Sequence, residues 1–338
     1  MRHSMRIVSF SVWVLIFLVP SSIVAQQPRR DASARKPQKR VPTVRFSSGN
    51  SALKIPLEID NNLIFLRVSV NNSKPLKFLF DTGASHSVVN SQRTAKLGLK
   101  TQGQVSGNAT GGTIQASFIK GVSLSVPGAE VSNQLIASMP FNNPPDFEFD
   151  GTIGYDFINQ FVVEIDYQNK IMNLYNPRTY TYSGKGEVIP LLLKGRRTPL
   201  TRTKIILEGR AAPVEAKLEV DTGADGTFVI NSPFVKKQRL LTAILKTTQD
   251  SAVGAGGEQK RLTGRVKAVQ LGRLVIDNPP VELSQDTEGS GASEEDDGII
   301  GGEIFRRFKV ILDYSRKRMI LEPNKSFNDP YNVEMSGI

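Results

Sequence analysis

The chain has 338 residues, 39% hydrophobic and 22% charged, which suffices for two medium domains with real cores and does not fit a disordered protein. Its formal net charge is +11, but residues 1–45 alone hold nine Lys/Arg and one acid, a net +8 that leaves +3 for the rest. The body therefore has no basic face for nucleic acid. Cys is absent and His occurs only as His3 and His86, which excludes disulfides, thiol nucleophiles, cysteine zinc sites and multi-histidine metal centres.

Residues 1–25 read as a cleavable signal peptide. Arg2 and Arg6 precede the mostly apolar run Ile7–Val19, 13 residues long and too short to span a bilayer comfortably. Ser21, Ser22 and Ala25 supply the small residues of a cleavage site. Periplasmic or secreted localisation follows, with no membrane attachment after cleavage. Residues 26–50, rich in Pro, Lys and Arg, read as a flexible basic leader. It either tethers the body or blocks a cleft in a precursor.

From Ala52 onward strand-like runs alternate with Gly, Asn and Pro turns. Leu63–Val70, Leu76–Phe80, Lys204–Gly209 and Val266–Gly272 are examples. Helical signals are few: Arg93–Leu99 and the stretches after Gly154 and Gly302. The expected fold is mostly β.

The chain also repeats itself. Ile55-Pro56-Leu57 returns at Ile189, Asp81-Thr82-Gly83-Ala84 returns at Asp221, and Gly111-Gly112 returns as Gly256-Gly257. Asp150-Gly-Thr-Ile-Gly154 returns as Asp297-Gly-Ile-Ile-Gly301, and Phe161–Tyr175 aligns with Phe308–Glu322. One unit spans residues 51–180 and the other 188–328. A linker at 181–187 joins them, and 329–338 forms a tail.

A single Asp-Thr-Gly-Ala is most simply a strand ending in a tight turn. Two in equivalent places imply more, because duplicated units pack about a pseudo-two-fold axis. If the turns meet on it, Asp81 and Asp221 face each other, and like charge forces the pair to share a proton. The ionised member can then take a proton from a water, while the protonated one donates to a carbonyl oxygen. His86 directly follows Ser85 and points the other way on a strand, so a Ser-His-Asp arrangement is disfavoured. His86 is expected at the surface or a pocket edge.

With the paired motifs LFDTGAS and EVDTGAD, and the apolar-Gly motifs Ile153-Gly154 and Ile300-Gly301 after them, the chain resembles the aspartic proteases of the pepsin and retroviral-protease clan. The likeness is nearest to bacterial retropepsin-like proteins duplicated into one chain. It implies two homologous β-barrel lobes related by a pseudo-two-fold axis, with catalytic Asp81 and Asp221. Thr82 and Thr222 would form an interlobe lock. Gly83, Ala84, Gly223 and Ala224 would complete the loops, which Ile153, Gly154, Ile300 and Gly301 would support. Gly111, Gly112, Gly256 and Gly257 sit where substrate-binding flaps belong. Pepsins usually carry Ser or Thr where this chain has Ala84 and Ala224, so an optimum less acidic than pepsin's is expected. The resemblance implies an endopeptidase acting on peptide or protein in extended conformation. It further implies no metal or organic cofactor, no nucleic acid, and a monomer. The alternatives are a non-catalytic peptide-binding module of the same fold and a homodimer with cross-chain dyads. The Glu294–Asp297 run is expected to be a solvated loop.

Overall fold

The computed structural model describes residues 41–141, 147–193 and 197–331. The signal segment 1–25, the leader before 41 and the tail after 331 lie outside the described residues.

Each unit is built on a nine-stranded sheet, and a six-stranded sheet joins the two. In the first unit six strands close on themselves. Ala129–Met139 pairs with Val88–Asn90, then follow Gly151–Ile153, Leu76–Phe80, Leu63–Val70 and Gly112–Val126, which pairs back to Ala129–Met139. In the second unit the counterpart of the long strand Gly112–Val126 is interrupted. It becomes Gly257–Arg265 and Ala268–Leu271, which pair with Pro280–Ser284 and Leu200–Ile206 respectively.

The joining sheet carries the symmetry. Its order is Glu187–Pro190, Arg318–Pro323, Phe308–Asp313, Val162–Asp166, Ile171–Tyr175, Ser51–Pro56. The two repeated Ile-Pro-Leu runs thus start on opposite edge strands. Across the middle, Val162 pairs with Asp313 and Asp166 with Lys309, centred on Glu164 and Ile311. Those two are repeat equivalents, so the pseudo-two-fold axis passes between them. Strand alternation covers both faces. Val163, Ile165, Val310 and Leu312 enter the large core shared by both units. Val162 and Ile311 face the other way, under Tyr175, Tyr180 and Tyr182. Burying each such aliphatic side chain contributes roughly 1.5–3 kcal/mol.

One boundary differs from the sequence reading, and two features add to it. The leader, expected to stay flexible to residue 50, is ordered earlier: Thr43–Phe46 forms a strand on Ala129–Ser132. Its apolar partners explain this, since the Phe46 ring packs edge-on at 5.7 Å against Phe161. The 181–187 linker is tied down through Tyr182, whose hydroxyl donates to Glu322 at 2.7 Å and accepts from the Gly186 amide at 2.6 Å. The helices Ser232–Lys237 and Leu240–Ala243 follow the second Asp-Thr-Gly-Ala strand and were not anticipated. The apolar residues Phe234, Val235 and Leu240 read equally well as strand.

Candidate active site

Each Asp-Thr-Gly-Ala turn leaves the end of a buried strand, Leu76–Phe80 or Val214–Val220. The chain returns as Val88–Asn90 or Phe228–Ile230, and a third strand lies between the two arms. Gly151–Ile153 runs parallel to Phe78–Phe80 and antiparallel to Val88–Val89. Gly298–Ile300 does the same between Leu218–Val220 and Phe228–Ile230. The Asp81 amide donates to Ile153 O and the Asp221 amide to Ile300 O, both at 3.0 Å. The turns are not identical: DTGASHSVVN becomes DTGADGTFVIN, one residue longer.

Gly154 and Gly301 hold the turns from below. The Tyr155 amide donates to Ala84 O at 2.9 Å, and the Gly302 amide to Ala224 O at 2.7 Å. A Cβ on Gly154 would run into His86 O, and one on Gly301 into Gly226 O. Only glycine permits that approach. Ile153 and Ile300 are fully buried beneath.

The two turns are laced crosswise. Thr82 Oγ1 donates to Val220 O at 2.5 Å and accepts from the Thr222 amide at 3.0 Å. Thr222 Oγ1 donates to Phe80 O at 2.8 Å and accepts from the Thr82 amide at 3.2 Å. This lock sets the carboxylates against the opposite glycines. A Cβ on Gly83 would lie 2.8 Å from Asp221 Oδ1, and one on Gly223 2.6 Å from Asp81 Oδ1.

Asp81 and Asp221 are buried, at 0% and 1% exposed. Asp81 Oδ1 accepts from the Gly83 amide at 2.8 Å and the Ala84 amide at 3.0 Å. Asp221 Oδ1 accepts from the Gly223 amide at 2.8 Å. The Oδ2 atom of each is buried with no hydrogen-bond partner among the described residues. Burial raises the Asp81 pKa well above the carboxylate range, and the neighbouring Asp221 charge raises it further. Burial pushes Asp221 up to about 6, against the backbone amide bonds that favour its ionised form. Such a pair keeps one proton between two oxygens near neutral pH.

Above the turns, two hairpins meet. Gln102–Ala109 with Gly112–Val126, and Thr248–Gly254 with Gly257–Arg265, put Gly111-Gly112 and Gly256-Gly257 at facing tips. The Gly256 amide donates to Thr110 O at 2.8 Å. A Cβ on Gly111, where φ is +84°, would collide with Gly257 O. The Thr110 and Ser290 hydroxyls lie 3.2 Å apart and tie the first tip to the second unit. No sequence pattern distinguished either residue.

His86 was expected at the surface or a pocket edge and is instead buried. It lies beneath the first turn, with Nδ1 3.3 Å from Asp156 Oδ2 and its ring edge-on to Phe118 at 5.5 Å. The Arg197 guanidinium reaches it from the second unit at 3.0 Å from Nε2. Asp150 and Asp297 are structural: their carboxylates accept from the Lys77 and Lys217 amides at 2.9 and 2.7 Å. The Glu294–Asp297 run is only half solvated, because Asp296 is buried on the Asn231 side-chain amide at 2.9 Å.

A family model described as aspartyl protease matches residues 66–157 and 205–304. The chain belongs to that family, once per unit. The crystal structure of an aspartic proteinase from Irpex lacteus is similar in fold, at a TM-score of 0.52 with 13% identity, over 82% of this chain and 99% of that one. No curated protein matches the chain. The protein is thus a two-lobed, mostly-β aspartic protease with a pepsin-like architecture.

Proposed function

We propose that the protein is an exported, monomeric aspartic endopeptidase in which Asp81 and Asp221 of one chain form the catalytic dyad. The facing of those two carboxylates, laced together by Thr82 and Thr222, carries this reading. A water between the unpartnered Oδ2 atoms has an ionised carboxylate to take its proton and a protonated one beside it. The water oxygen adds to the peptide carbonyl carbon as the protonated Asp hydrogen-bonds the carbonyl oxygen. Collapse of the tetrahedral intermediate breaks the C–N bond, and the proton drawn from water passes to the leaving amine. The dyad returns with one proton, and no metal or organic cofactor enters any step.

The substrate is an extended peptide or protein segment, lying between the dyad and the two hairpins and held by backbone hydrogen bonds. With the tips in contact and the dyad buried, the hairpins must part to admit it. Residues 1–25 direct the protein to the periplasm or outside the cell.

The experiment is cleavage of a mixed peptide library between pH 3 and 8 by the wild type, Asp81→Asn and Asp221→Asn. Cleavage by the wild type and silence from both variants is the expected result. Equal silence from all three, with peptide still bound, would replace the peptidase by a binding module. A dimeric mass in solution would undo the monomer.

A further inference from the structure

The Thr82 and Thr222 lock is not the only contact between each unit and the other unit's turn. Strand register identifies a second pair of equivalents. Phe65 pairs with Leu79 and Leu200 with Glu219, and Leu79 and Glu219 each stand two residues before a dyad Asp. Three residues before Phe65 and Leu200 come Asn62 and Arg197. Each lies just before a strand, Leu63–Val70 or Leu200–Ile206, and each reaches across the axis. Asn62 Nδ2 donates to Asp225 O at 2.9 Å, four residues past Asp221. Arg197 Nη1 lies 3.0 Å from Nε2 and 3.1 Å from Nδ1 of His86, five residues past Asp81.

The same two residues touch the supports of the turns. Asn62 packs on Gly302, where an added Cβ would lie 2.5 Å from Asn62 O, and the Gly302 amide holds Ala224 O. The equivalent of Gly302 is Tyr155, whose amide holds Ala84 O. Burial raises the Tyr155 pKa and the Arg197 charge opposes the rise, so Arg197 stands near Tyr155 as Asn62 stands near Gly302. The returning arm of each turn is thus held by the other unit.

The two holds differ in chemistry. The Asn62 amide and the Asp225 carbonyl do not titrate. The other hold ends on an imidazole. Asp156 Oδ2, 3.3 Å from Nδ1, accepts the ring's one proton, and Nε2 is left to accept from the Arg197 guanidinium. Imidazolium has no acceptor and repels a guanidinium. Among the described residues, the charged groups at hydrogen-bond distance from His86 are Asp156, on the short helix Tyr155–Ile158, and Arg197. Phe118, on Gly112–Val126, presents only a ring. Asp156 is itself fixed by the Ser87 amide at 2.9 Å and hydroxyl at 2.6 Å, so it stays to pair with the imidazolium while Arg197 leaves. Histidine is the side chain whose charge changes between pH 5 and 8.

We propose that Asn62 and Arg197 are positioning residues for the dyad, each holding the other unit's catalytic turn, and that protonation of His86 releases the Arg197 hold in acid. The effect on catalysis rests on the peptidase reading above, whereas the clamp itself does not.

The test compares full-chain variants with the wild type at the same pH, so that titration of the dyad cancels. Asn62→Gly removes the amide without straining a φ of +67°. It should lower kcat about tenfold at both pH 5 and pH 7.5, with KM within about twofold. Arg197→Ala should cost about tenfold in kcat at pH 7.5 and less than about twofold at pH 5, where the wild type has already let go. Arg197→Lys keeps a donor and should recover most of the loss. In a His86→Gln background, whose amide oxygen accepts from Arg197 without titrating, Arg197→Ala should cost the same at both pH values. A loss on Arg197→Ala that ignores pH in the His86 protein, or an unchanged kcat in Asn62→Gly, overturns the proposal while the peptidase stands. If no peptide is cleaved, thermal unfolding carries the test. Arg197→Ala melting below the wild type at pH 7.5 and together with it at pH 5 keeps the clamp without the peptidase, and equal gaps at the two pH values remove both.

Discussion

Thr82 and Thr222 each donate a hydroxyl to a carbonyl of the other unit, Val220 O and Phe80 O, and each accepts the other's amide. Four hydrogen bonds thus cross the pseudo-two-fold axis beside Asp81 and Asp221. The joining sheet repeats the device with backbone alone, centred on Glu164 and Ile311. The lower contact sets how the units dock, and the upper one sets how the turns face.

Removing one hydroxyl leaves a buried carbonyl and a buried amide unpaired. Thr82→Val or Thr222→Val should each cost about 2 kcal/mol in urea unfolding, within the usual penalty for such groups. The double variant should cost less than the sum, because the same bonds are lost twice. Thr→Ser at either site should restore most of the loss, and strict additivity would mean that the lock is not a unit.

The dyad should weaken the fold as pH rises. Both carboxyls have raised folded pKa values, so the native state holds more protons than the unfolded chain above about pH 4, the ordinary carboxylate range. Stability then declines from there through Asp221's folded value of about 6. For Asp221 alone the full effect is about 3 kcal/mol. Asp221→Asn, neutral throughout, should melt higher than wild type at pH 7.5 and match it at pH 4. A variant that is less stable at both would show that the carboxylate is not a burden.

Activity requires one ionised member, so its acidic limb should fall near pH 6, where Asp221 titrates. Ala224→Ser, which offers a hydroxyl to the ionised Asp221, should move that limb down by about one pH unit. A wild-type optimum below pH 3 would contradict the environment of both residues.

Gly223→Ala would put a methyl 2.6 Å from Asp81 Oδ1. The carboxylates must separate, and kcat should drop about a hundredfold, as misplacements near 1 Å do. Circular dichroism should stay native, because the strands below are untouched. Retained activity would show that the turns have slack.

At the hairpin tips, Gly111→Ala meets both a left-handed φ of +84° and the Gly257 carbonyl. The tips should part, exposing the Gly256 amide that now donates to Thr110 O. Hydrogen exchange at Gly256 should quicken, and KM should rise about tenfold with kcat less affected. Unchanged exchange would mean that the tips are not coupled.

The sequence by itself determined the duplication, the mostly-β class and the positions of both Asp-Thr-Gly-Ala turns, because these depend on local alternation and on exact repeats. It also showed Asp150 and Asp297 recurring at the same place in each unit, though their bonds to the Lys77 and Lys217 amides came only with the structure. Tertiary structure decided what depends on partners far along the chain. His86 looked peripheral until Asp156, Phe118 and the second unit's Arg197 closed around it. Thr110 and Ser290 carry no pattern, and only the meeting of the hairpins puts their hydroxyls together. Asn62 and Arg197 share no residue type, and strand register alone makes them equivalents that reach across the axis. Sequence periodicity says which residues share a face, whereas the docking of one unit on the other says what that face meets.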